Sequence, residues 1–163
     1  MNTISAVGID VGKSGGFAWK IGDVVGCQKM PPTDSEILIL LRELEDVALD
    51  SGLPKPEVFL EKVGGFVGTP QTGHSMFNFG RGYGFLIGAI MAFRLRLSLV
   101  RPQQWQKDIG AGTKGERTTT QWKNHLRDIA CRLYPNQKIT LSVSDAFLIL
   151  ESGLLRTEGK ERS

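Results

Sequence analysis

Ile4-Ser5-Ala6-Val7-Gly8-Ile9-Asp10-Val11-Gly12-Lys13-Ser14-Gly15-Gly16 is the stretch from which the fold is read. Residues 3 to 9 make an apolar run of strand length that stops at Asp10, and a glycine-rich turn follows. Two more β segments, about 15 to 21 and 23 to 30, come so soon afterwards that the three must form an antiparallel meander. Pro31-Pro32 ends it. From Ser35, the residues Ile37, Leu40, Leu41, Leu44, Val47 and Ala48 recur at helical spacing, while Glu36, Glu43, Asp46 and Asp50 occupy the other face. Glu57-Val58-Phe59-Leu60-Glu61 is then a short buried strand, parallel to the first by the crossover rule. A helix over about Ser75 to Phe93 and a fifth strand, Leu97 to Val100, complete an α/β arrangement of order βββαβαβ. It predicts a five-stranded mixed sheet flanked by helices.

Downstream lies a basic turn rich in Gly and Lys (107 to 117), then a helix opened by a Thr118-to-Gln121 capping box and ended at Pro135. The last helix starts near Leu141 and carries Asp145, Phe147, Leu148, Ile149 and Leu154; residues 156 to 163 are expected to fray. A single domain over 1–163 accounts for all of these elements.

With 163 residues, 40% of them apolar and 23% charged, the composition is that of a soluble globular domain, not a disordered, fibrous or disulfide-stapled chain. Phe85 to Phe93, the longest apolar run, is far short of the ~20 residues that span a bilayer, and Asp10 interrupts any signal-type segment, so a cytoplasmic protein without membrane partners is expected. Cys27 and Cys131 lack the neighbours of a zinc or redox site and read as buried small hydrophobes. Charge is segregated. Residues 34 to 61 hold eight acids against two bases, whereas 94 to 132 hold nine bases against three acids, which points one side of the protein at a polyanion.

Two phosphate-loop readings fail. A P-loop ending in Gly12-Lys13-Ser14 needs a glycine where Val7 stands, and Gly80-Arg81-Gly82-Tyr83-Gly84 has Phe85 in the third glycine's place of a dinucleotide fingerprint. Those glycines read instead as sites of close helix-to-sheet packing. Asp10 and Glu61, by contrast, each end an apolar strand; as parallel neighbours they would lie about 5 Å apart at the carboxyl edge of the sheet, where two acids can share hard divalent cations. Asp145, on the same face as Leu148, Ile149 and Ser152, is a third candidate. Each has a plainer reading: a strand-ending acid as a turn residue, and Ser142-x-x-Asp145 as a second capping box. His74 and His125 show no metal-ligand spacing, and no nucleophile–base set stands out.

Gly8-Ile9-Asp10-Val11-Gly12, Phe59-Leu60-Glu61-Lys62 and Ser144-Asp145-Ala146-Phe147-Leu148-Ile149-Leu150-Glu151, in this order, resemble the RuvC family of Holliday junction resolvases, within the ribonuclease H-like superfamily. Ser75-Met76-Phe77-Asn78-Phe79-Gly80-Arg81-Gly82-Tyr83-Gly84 and Val100-Arg101-Pro102-Gln103-Gln104-Trp105-Gln106-Lys107 look like its phage and prophage branch. The likeness covers nearly the whole chain.

The resemblance implies a homodimeric nuclease that nicks opposing strands of four-way or otherwise branched DNA, with two Mg²⁺ or Mn²⁺ ions per active site held by Asp10, Glu61 and Asp145. It departs at the fourth ligand: the family has an Asp or His three or four residues before the last Asp, where this chain has Ser142 and Leu141. Neither replaces an acid or imidazole. A junction-binding protein of the same fold that cuts weakly is therefore the alternative. Lys107, Lys114, Arg117, Lys123 and Arg127 are the expected DNA contacts, against the plainer reading of a solvated charged face, and Arg81 joins them unless it pairs with an acid. Phe66 either stacks on bases at the crossover or packs its loop onto the domain. The phosphate loop of actin-like and sugar-kinase ATPases also reads Gly-Ile-Asp-x-Gly, but that site needs two such domains around a cleft, so no nucleotide cofactor is expected.

Overall fold

The computed structural model describes residues 3–64 and 72–161. Strands β1 (Ser5–Asp10), β2 (Gly16–Ile21) and β3 (Val24–Lys29) form the antiparallel meander, and β4 (Glu57–Glu61) and β5 (Arg96–Val100) add in parallel beside β1, giving the order β3-β2-β1-β4-β5. The helices are α1 (Asp34–Asp50), α2 (Gly73–Ala92), α3 (Pro102–Asp108), α4 (Thr119–Leu133) and α5 (Leu141–Glu161). The expected mixed sheet with flanking helices is what the chain adopts.

The period-two alternation of β1 sorts its side chains between two cores. Val7 and Ile9 join Phe17, Val58 and Leu60 under α1 and α2, whereas Ala6 faces the other side with Ala18, Phe59 and the residues of α3, α4 and α5. Asp10, two residues beyond Gly8, and Glu61, two beyond Phe59, therefore project toward the face covered by α3 and α5. Capping boxes start α1 (Thr33 with Glu36) and α4 (Thr118 with Gln121).

Four expectations change. Helix α3 is not among the expected elements: proline fits the first helical position, Trp105 drives the segment into the core, 2% exposed, and the basic turn expected from 107 begins only after Asp108. Gly80, Gly82, Gly84 and Gly88 do not pack α2 against the sheet, since a Cβ at each would meet open space. Close approach occurs instead at Gly8 and Gly153, where a Cβ would run into α5 and into the Phe59 ring. Residues 156 to 161 continue α5, anchored by the Arg156 Nε–H, which donates to Asp108 at 2.6 Å. Cys27 and Cys131 are half-buried free thiols rather than fully buried ones.

Candidate active site

Parallel pairing of Ile9 with Leu60 brings the next residues of the two strands, Asp10 and Glu61, side by side at the carboxyl edge. Helix α5 lies across β1 and β2 and carries Asp145 near its start. The backbone amides of Val143 and Ser144 donate to the Thr140 carbonyl, so the helix begins before Ser142, and the expected Ser142-to-Asp145 capping box does not form. Asp145 is left half-buried, with a 3.5 Å contact from the Ser144 hydroxyl.

These three acids feel one another. Burial, then the charges of Asp145 and Glu61, push Asp10 up to about 8, against the opposing pull of the Lys123 ammonium. Burial also raises Glu61, offset by the hydrogen bond from Trp105, and Asp145 raises it further. Asp145 is raised by burial and drawn back by Lys123 and Ser144. Among the described residues no three His, Cys, Asp or Glu side chains close to metal-ligating geometry, so the acids are electrostatic neighbours rather than a finished cage. Their chemistry nevertheless fits a hard divalent cation: the donors are all carboxylate oxygens, in a half-buried setting where their mutual repulsion is relieved by positive charge.

Trp105 is the residue the sequence reading missed. Its Nε1–H donates to Glu61 Oε2 at 2.8 Å. An indole in an amphipathic heptamer between Pro102 and Asp108 was the available signal. The backbone of Ser142 passes close to the strand partner of Asp10: its carbonyl oxygen lies 3.0 Å from where a Cβ on Gly16 would sit, and Gly16 is paired with Asp10. Leu141 beside it is exposed.

The basic residues divide. Lys107, Lys114, Arg117 and Lys123 are exposed on α3, the turn after it and α4. Lys114 donates to Thr119 Oγ1 at 3.2 Å, and Arg117 donates to the Thr113 carbonyl at 3.0 Å with its guanidinium 5.8 Å from the Trp122 ring. Gly110, Gly112 and Gly115, all at positive φ, shape this turn. Arg127 instead pairs with Asp128 at 3.6 Å, and Arg81 forms a two-pronged ion pair with Asp34 at the start of α1. Phe66 lies outside the described residues. His125 bonds the Ala111 carbonyl at 2.9 Å and His74 bonds Asn78, as side chains without a metal role do.

No protein-family model and no curated protein matches this sequence. Solved structures do match. The Thermus thermophilus RuvC structure superposes with a TM-score of 0.58 at 15% identity, over 95% of this chain and 96% of that one. The chain has the RuvC fold. T. thermophilus RuvC in complex with Holliday junction substrate matches as well, with a TM-score of 0.55 at 12% identity over 96% of each chain. In this RuvC-like sheet Asp10 and Glu61 end two parallel strands, and Asp145 on α5 and the Lys123 ammonium both act on Asp10. No helix among the described residues is long and apolar enough to cross a membrane.

Proposed function

We propose that this protein is a metal-dependent, structure-selective DNA endonuclease that resolves four-way junctions by phosphodiester hydrolysis. The observation that carries the reading is the convergence of Asp10, Glu61 and Asp145 on one sheet edge of a RuvC-like fold. Asp10, Glu61 and Asp145 would hold Mg²⁺ or Mn²⁺, one or two ions, which when bound lower the pKa of water and offset charge on the phosphate in flight. Asp10, whose carboxyl feels the charges of both Asp145 and Glu61, would be the ligand shared between two ions. Lys123 balances the negative cluster. Lys107, Lys114 and Arg117 take backbone phosphates, an affinity that depends steeply on salt and carries little sequence information. In the reaction a water oxygen bonds to phosphorus and the opposite P–O ester bond breaks.

A junction needs two cuts, and α2 offers a face for a second copy. Phe77, Gly80, Gly84, Gly88 and Met91 are all exposed at three- and four-residue spacing, with Phe77 71% and Met91 66% accessible. Open space at the glycines lets another helix approach closely. This supports a homodimer with its two sites on one junction.

The second reading, a junction binder that cuts weakly, is favoured by one feature: Ser142 and Leu141 stand at the fourth ligand position. Cleavage of a labelled four-way junction beside a linear duplex of the same sequence, with Mg²⁺, Mn²⁺ or EDTA, separates the two.

A further inference from the structure

We propose that Trp105 is a positioning residue for Glu61: its indole N–H holds one carboxylate oxygen so that the other is presented to a divalent cation. The inference rests on the nuclease reading of the site. An indole has one donor and no acceptor, and Trp105, 2% exposed, spends that donor on Glu61 Oε2 at 2.8 Å. Glu61 Oε1 takes no hydrogen bond from the described residues. The indole N–H takes one lone pair of Oε2 and fixes the carboxylate plane, which leaves Oε1 the freer oxygen to meet a cation.

The holder is itself held. Helix α3 begins with Pro102 at its first position, and the Trp105 amide donates to the Arg101 carbonyl at 3.1 Å. Three residues on, Asp108 accepts from Gln104 Nε2 at 2.8 Å, Ser152 Oγ at 2.6 Å and Arg156 Nε at 2.6 Å. The last two belong to α5, the helix that carries Asp145. A chain of contacts thus runs from Glu61 on β4 through Trp105 and Asp108 on α3 to α5, and fixes two of the acids against each other. Outer-shell partners of metal ligands commonly matter 10–100-fold in metal affinity.

The test replaces Trp105 by Phe, which keeps a ring and removes the N–H. Mn²⁺ binding to the DNA-free protein, followed by the electron paramagnetic resonance of free Mn²⁺, should weaken about tenfold or more. The Mg²⁺ needed for half-maximal nicking should rise in proportion, with junction affinity in EDTA unchanged. Tyr134→Phe is the matched control: it removes a 2.7 Å hydroxyl bond to Glu151 in the same core and should leave Mn²⁺ affinity alone. Wild-type Mn²⁺ affinity in Trp105→Phe overturns the proposal while leaving the nuclease reading standing. Failure of the wild type itself to bind Mn²⁺ overturns both. Should the variant fold poorly, the indole N–H resonances of the wild type decide: the Trp105 signal must shift on Mg²⁺ addition while those of Trp19 and Trp122 stay, and an unmoved Trp105 signal overturns the proposal.

Discussion

Gly8 of β1 lies flush against Ala146 of α5, so close that a Cβ on Gly8 would strike the Ala146 carbonyl oxygen and the Leu150 backbone and side chain. Because Asp10 follows Gly8 by one strand repeat and Asp145 precedes Ala146, this contact sets how near the two acids come. Gly8→Ala should cost about 3 kcal/mol, the upper end for overpacking, and reduce nicking beyond what lost stability explains. Urea unfolding and activity of the remaining folded fraction check it; a variant of wild-type stability would show that the strand and helix are not in contact.

The glycines of α2 predict the opposite behaviour. A side chain at Gly84 meets nothing within its own subunit, so Gly84→Arg should leave the subunit folded but convert the proposed dimer to monomer. Light scattering coupled to size exclusion reads the mass. A dimer in Gly84→Arg, or a monomeric wild type at working concentration, would move the interface elsewhere or remove it.

Stability in EDTA should fall with rising pH. Asp10, pushed up to about 8 in the fold, binds a proton in the native state that it has lost in the unfolded chain between about pH 4 and pH 8. An acid with a raised pKa therefore contributes fully below its unfolded value and loses that contribution as pH climbs through the folded one. Asp10→Asn, which does not titrate there, should melt higher than wild type in EDTA by a margin that widens up to about pH 8, while abolishing nicking. Mg²⁺ should stabilise the wild type more at pH 8 than at pH 6. Thermal melts across this range would contradict the account if the margin stayed flat.

Ser142→Asp should place a fourth carboxylate beside the Gly16–Asp10 pairing. We expect nicking to rise about tenfold or more, with lower stability in EDTA because a further acid joins a crowded cluster. An unchanged rate would mean that three acids suffice.

What the sequence made legible followed from period and punctuation. The alternation through Val7 and Ile9, the prolines at 31 and 32, and the helical recurrence from Ile37 to Ala48 each depend on near neighbours in the chain, and the order of strands and helices along it came from them. Asp10 and Glu61 were readable because each ends an apolar strand. Trp105 was not, because its partner lies 44 positions away and only the folded sheet brings α3 over β4. The glycines of α2 misled because a missing Cβ serves close approach on either face of a helix, and sequence spacing does not say which face meets the sheet. Asp145 looked like a cap residue since Ser142-x-x-Asp145 has the right spacing; the helix start was shifted by Thr140, whose carbonyl takes the first amides. For Arg81 the sequence left two readings open, toward the site or paired with an acid, and Asp34 takes it from across the fold.

The most direct test of the central claim is strand-specific nicking of an end-labelled four-way junction by the wild type and Asp10→Asn, alongside a linear duplex of identical sequence. The account predicts paired nicks on opposing strands of the junction alone, present with Mg²⁺ or Mn²⁺ and lost in EDTA or with Asp10→Asn. Equal cutting of junction and duplex, or nicking that survives the loss of Asp10, would contradict it.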